Sequence, residues 1–109
     1  MKRFISVVAI AFSLVAVMVM PAYAADAAAG GKVFTANCAA CHAGGNNLVI
    51  STKNLRKDTL ESYDMYSAEA IEHQVIHGKN AMPAFSGRLS DEQIENVAAY
   101  VMQQAEKGW

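Results

Sequence analysis

The residues with the sharpest chemical signature are Cys38-Ala39-Ala40-Cys41-His42. Two thiols three positions apart fall on one face of a helix. From there both sulfurs can add to the two vinyl groups along one edge of a porphyrin. His42 comes one residue later, turned by about 100° around the helix axis, so its imidazole can swing beneath the ring and bind iron from one side. C-x-x-C-H is accordingly the attachment signature of a covalent haem c. Two other chemistries share part of the pattern. A thiol redox pair also uses C-x-x-C but expects a βαβ context, and none is visible. A structural zinc site wants four ligands, usually from two such pairs, whereas the chain has only these two cysteines.

The other face of the iron needs its own ligand. The candidates downstream are Met65, Met82, Met102, His73 and His77. Met102 falls in an amphipathic helical stretch, where methionine is ordinarily core, and Met65 sits between Tyr63 and Tyr66 in a turn. Met82 is followed by Pro83, which holds the preceding residue in extended backbone and keeps it out of a helix. A stiff loop of this kind can hold a thioether against iron opposite His42, so Met82 is the favoured ligand, with His73 or His77 next. With both axial positions filled, oxygen and peroxide have no place to bind, and the expected chemistry is electron transfer. A thioether ligand and a buried haem both raise the reduction potential. An unbound Met82 would leave an open iron position, as in a haem enzyme or gas sensor. Gln74, polar on the inner side of its helix, could hydrogen-bond near the haem and tune it. His73 and His77 stand four apart, a spacing that can bind zinc, but no third or fourth ligand is apparent, and two solvent-facing histidines is the simpler reading.

The elements that must position these groups read as helices joined by loops, with little strand-like alternation. Asp26 can cap a first helix running toward His42, with Gly30, Val33, Phe34, Cys38 and Cys41 on one broad face. Gly30-Gly31 within it costs helix stability and implies close approach of another backbone. Gly44-Gly45-Asn46-Asn47 ends that helix. Asp58-Thr59-Leu60-Glu61 has capping-box spacing for a short helix. Ser67 can cap another helix, which Gly78 stops. Ser90 and Gln93 make a second capping box for a last helix whose stripe is Ile94, Val97, Ala98, Val101 and Ala105. This helix is expected to cross the first, with Tyr100 and Val97 meeting Phe34 over Gly30.

The chain has 109 residues, enough for one domain. Lys2 and Arg3, an apolar run from Phe4 to Met20, Pro21 and Ala22-Tyr23-Ala24 read as a signal peptide over 1–24, cleaved to leave a domain at 25–109 with no membrane anchor. Removing Lys2 and Arg3 from nine basic and ten acidic residues leaves a formal charge of −3. There is no basic patch, so nucleic acid is not an expected partner. A mildly acidic surface steers a protein toward a partner without naming one. A domain this small often needs a staple. A disulfide across two intervening residues would stabilise little, so a cofactor is the more fitting one.

Beyond the haem motif, several stretches resemble the photosynthetic cytochrome c6 family of cyanobacteria and algae: Gly31-Lys32-Val33-Phe34, His42 to Asn47, Gly78 to Phe85, Gly87 to Asp91, and Ala105 to Trp109. The resemblance spans nearly all of 25–109. It implies an all-α class I cytochrome c fold of about four helices around one covalent haem c, with His42 and Met82 as axial ligands. It also implies a one-electron carrier in the thylakoid lumen, passing electrons from the cytochrome b6f complex to photosystem I. The lone bacterial-type signal suggests a cyanobacterial source, and a periplasmic location and donation to a terminal respiratory cytochrome oxidase are the alternatives. Arg88 matches a family arginine that docks photosystem I, and Gln74 a glutamine near the haem. There are two departures. Many relatives carry proline near Ser51, where a backbone carbonyl accepts a hydrogen bond from the axial histidine, and Ser86 replaces a common glycine.

Overall fold

Asp26 opens the first helix as its spacing predicts, its Oδ1 accepting from the Ala29 N–H at 3.1 Å. The structure, a computed structural model, describes residues 25–109. The signal peptide expected over 1–24 lies outside the described residues. The elements are α1 (Ala27–Asn37), α2 (Ala39–His42), α3 (Lys57–Ser62), α4 (Ala68–His77) and α5 (Asp91–Lys107), with a 3₁₀ turn at Ala43–Gly45 after α2. Extended pairing among the described residues amounts to two isolated bridges, Lys79 with Met82 and Ser86 with Leu89. The fold is all-α, as expected, with five helices rather than about four. None of the described helices is long and apolar enough to cross a membrane.

The extra helix comes from a break in the first one. The chain does not run as a single helix to His42. Cys38 caps the end of α1 at φ −117° and ψ −29°, its N–H still bonded to the Phe34 carbonyl at 2.8 Å, and α2 restarts beyond it. The Cys38 carbonyl then collects two donors, the N–H of Cys41 at 3.2 Å and of His42 at 2.9 Å. Two other caps form as expected. Ser67 Oγ accepts from the Ala70 N–H at 3.1 Å. Ser90 and Gln93 exchange both bonds of a capping box, at 3.1 and 2.9 Å. The box expected at Asp58–Glu61 is absent. The Leu60 N–H bonds the Arg56 carbonyl at 2.8 Å, so α3 has already begun at Lys57. Asp58 lies in its first turn, where a carboxylate still favours the positive helix end.

The packing that holds the domain is α1 against α5. Gly30 is the crossing point: a Cβ placed there would lie 1.9 Å from the Asn96 carbonyl oxygen, so only glycine lets the two backbones come this close. Phe34 is buried one turn on, with Tyr100 at 5.2 Å and Trp109 at 5.4 Å between ring centroids. The α5 stripe of Ile94, Val97, Ala98, Val101 and Ala105 is buried throughout. Burying the larger side chains among them, Ile94, Val97 and Val101, stabilises by roughly 1.5–3 kcal/mol each. Asn96, the one buried polar residue described, accepts the Asp26 N–H on Oδ1 at 2.8 Å and ties the start of α1 to α5. Phe34, Val97 and Val101 also turn one side toward the space between this crossing and α3 and α4.

Candidate functional site

That space is a cavity of about 210 Å³. Ligand sites are concave and mostly apolar with a few polar groups, and this cavity has that character. Its walls are mostly apolar: Phe34 from α1, Leu60 from α3, Ile71 and Val75 from α4, Val97 and Val101 from α5. Among the lining residues are also Cys38, His42, Gln74 and Met82. The fold thus brings these four residues, all singled out in the sequence, onto one surface. Cys41 is solvent-exposed and lies outside the lining, one turn from Cys38, and neither cysteine is in a disulfide. Burial pushes the Cys38 thiol up to about 11, which keeps it protonated at neutral pH.

His42 is fixed by its neighbour chain. Its Nδ1–H donates to the Asn46 carbonyl at 2.9 Å, which leaves the Nε2 lone pair for a metal. The family pattern places this acceptor near Ser51; here it is Asn46. The physical reason is the 3₁₀ turn at Ala43–Gly45, which folds the chain straight back so that the carbonyl four residues on meets the ring. The loop beyond is organised by Asn47, which no spacing rule singled out. Its Oδ1 accepts from the N–H groups of Val49 and Ile50 at 3.0 and 2.9 Å, and its Nδ2–H donates to the Lys53 carbonyl at 2.8 Å. Asn-Asn after two glycines marks a turn, and that was the only available signal.

Met82 is held by a tight turn. Lys79 and Met82 exchange both N–H to carbonyl bonds at 3.0 Å, and Asn80 takes the left-handed conformation at φ 53°, which asparagine tolerates. The turn is seated on the end of α4. Gly78 ends that helix at φ 67°, and a Cβ there would meet the Met82 carbonyl oxygen at 2.6 Å. The Phe85 N–H closes the loop onto the Val75 carbonyl at 2.8 Å. Gln74 Nε2–H donates to Met82 Sδ at 3.5 Å. Of the alternative ligands, Met65 also lines the cavity, while Met102, His73 and His77 do not.

Arg88 stands away from the cavity lining. It is exposed, its guanidinium 5.9 Å from the Phe85 ring centroid, and among the described residues it makes no ion pair. Trp109 closes the fold's far side: its ring abuts Gly45, and its Nε1–H donates to the Leu55 carbonyl at 2.8 Å. The residues present fit a covalently tethered haem. A thiol, an imidazole and a thioether sulfur, the donor types such a group takes, line one cavity with mostly apolar walls.

The chain also has recognisable relatives. Residues 25–101 match the family model described as cytochrome C oxidase, cbb3-type, subunit III. Cytochrome c6 of Thermosynechococcus vestitus is 62% identical over 108 residues, spanning 99% of this chain and 96% of that protein. Cytochrome c6 of Nostoc is 56% identical over 110 residues, covering 100% and 99%. The solved structure of cytochrome c6 from the diatom Phaeodactylum tricornutum superposes with a TM-score of 0.75 at 56% identity, covering 77% of this chain and 99% of that one. Oxidised cytochrome c6A from Arabidopsis thaliana gives 0.73 at 31% identity, over 77% and 94%.

Proposed function

This chain belongs to the cytochrome c6 family and is an electron carrier with one covalently bound haem c; from that membership we propose that it is a soluble one-electron shuttle from the cytochrome b6f complex to photosystem I in the thylakoid lumen, matured by cleavage of residues 1–24. Cys38 and Cys41 would form the two thioethers, and His42 and Met82 would be the axial ligands. The haem supplies a reversible Fe(III)/Fe(II) couple. The chain's own residues do the rest. The Asn46 carbonyl orients the imidazole, the Lys79–Met82 turn holds the sulfur, and Leu60, Ile71, Val75, Val97 and Val101 keep water out. A low dielectric and a thioether both favour the reduced state.

The observation that carries this reading is the convergence of Cys38, His42 and Met82 on one apolar cavity. The test is the absorption spectrum of the oxidised holoprotein. Sulfur ligation gives a weak far-red band, expected in wild type and lost in Met82→Ala. A wild-type protein without the band that binds carbon monoxide or peroxide readily would instead be a haem enzyme or sensor. Arg88, exposed and without an acidic partner among the described residues, would dock photosystem I. Arg88→Asp is expected to slow flash-induced electron donation to isolated photosystem I, most at low ionic strength. An unchanged rate would remove Arg88 from the docking surface. A second reading, donation to a terminal oxidase, draws on the oxidase-subunit family that residues 25–101 match, and a faster rate with an oxidase than with photosystem I would favour it.

A further inference from the structure

We propose that His73 and His77 form a surface site for one divalent transition-metal ion of the zinc, nickel or copper class, separate from the haem cavity. Residues four apart on a helix are neighbours on its surface, and α4 sets the two imidazole rings 4.3 Å apart between centroids, their planes inclined by 47°. Both side chains are exposed, and neither belongs to the cavity wall. Neither ring is engaged in a hydrogen bond among the described residues, so their nitrogens are available to a metal. Imidazole suits the borderline ions of this class, and two imidazoles one helical turn apart have a spacing that can bind a single ion, with water completing the shell. No third His, Cys, Asp or Glu joins them among the described residues. The site is therefore open and exchangeable rather than a closed structural cage.

The surrounding charge favours a cation. Glu69 lies one turn before His73 on α4, and Glu72 precedes it directly. The site does not depend on which residues ligate the haem iron.

Zinc titrated calorimetrically into the oxidised holoprotein at neutral pH, in a buffer that does not chelate, tests the proposal. Wild type is expected to bind one equivalent. His73→Ala and His77→Ala are each expected to weaken binding by at least the roughly tenfold that loss of even an outer-shell partner costs, and the double variant to abolish it. Zinc should also protect both histidines together from diethyl pyrocarbonate in wild type. The proposal fails if wild type gives no heat beyond dilution, if the double variant binds zinc as wild type does, or if zinc protects neither histidine. An unchanged haem spectrum in every variant reports that the fold is intact.

Discussion

Gln74 shows how much one amide can do. Its Nε2–H points at Met82 Sδ from 3.5 Å, placing the positive end of a dipole beside the proposed axial sulfur. That field disfavours the more positive oxidised iron. Gln74→Leu is therefore expected to lower the midpoint potential. A hydrogen bond worth about 0.5–1.5 kcal/mol corresponds, at about 59 mV per tenfold for one electron, to a fall of roughly 20–65 mV. Protein-film voltammetry would read it, and a potential that held or rose would show that the amide does not act on the sulfur. The helix pattern made Gln74 legible as an inward-facing polar residue, but its target was not, because the loop bearing Met82 is placed by Gly78 and Asn80 through backbone contacts. The same holds for His42. Its motif names it, while its partner, Asn46 rather than a residue near Ser51, depends on the path of the chain after a 3₁₀ turn.

At the level of helices, the decisive contact is the Gly30 crossing. Gly30→Ala would drive a methyl into the Asn96 carbonyl, and neither atom belongs to a flexible side chain, so α1 and α5 must separate. Overpacking of this kind costs about 1–3 kcal/mol. For a domain of this size each kcal/mol shifts the melting temperature by about 4–8 °C. Thermal unfolding of the holoprotein should show a loss of several degrees or more, and an unchanged melting temperature would mean that the crossing is looser than described. Helix ends were less legible than helix faces. Asp58 offered capping-box chemistry, yet α3 starts earlier because the chain enters it from Asn54, whose Oδ1 takes the Arg56 N–H at 3.0 Å. Side-chain spacing marks where a cap is possible, and the incoming loop selects which possibility is used.

Across the whole molecule, two long-range ties join the segment before α4 to the C-terminus. Glu106 on α5 accepts the Tyr66 hydroxyl at 2.6 Å and pairs with Lys57 on α3 at 3.2 Å. The Tyr66 hydrogen bond, then that of Lys57, hold the Glu106 carboxyl below its usual range, while Lys57 and Tyr66 are held above theirs, chiefly by their hydrogen bonds to Glu106. The carboxyl's contribution is complete above the ordinary carboxylate range and is lost as pH falls through its depressed folded value. The contributions of Lys57 and Tyr66 are complete below their ordinary values and are lost as pH rises through the raised ones. Glu106→Gln should therefore flatten both limbs of a stability–pH profile measured by thermal unfolding, by a small amount that salt reduces further. A profile identical to wild type would mean the network is idle. The second tie is Trp109, partly buried against Phe34, Gly45 and the Leu55 carbonyl. Trp109→Ala should cost about 2 kcal/mol, below the 3–5 kcal/mol of a fully buried tryptophan, seen as a lower denaturant midpoint.

Residue types and spacing by themselves determined the haem motif, the all-α class, the buried stripe of α5, the Ser67 and Ser90 caps and the close approach at Gly30, because each rests on local chemistry or helical periodicity that needs no knowledge of distant chain. Only the tertiary structure decided that Cys38, His42, Gln74 and Met82 share a cavity while Cys41, His73 and His77 lie outside it, which carbonyl orients His42, and that the terminal tryptophan closes the core. The shared cavity depends on where loops bring distant segments, His42 and Met82 being 40 residues apart, and the His42–Asn46 bond, though it spans four residues, depends on the path of the chain through the 3₁₀ turn. They are settled by backbone geometry at a few glycines and asparagines and by the packing of α1 on α5, neither of which is encoded in a local pattern.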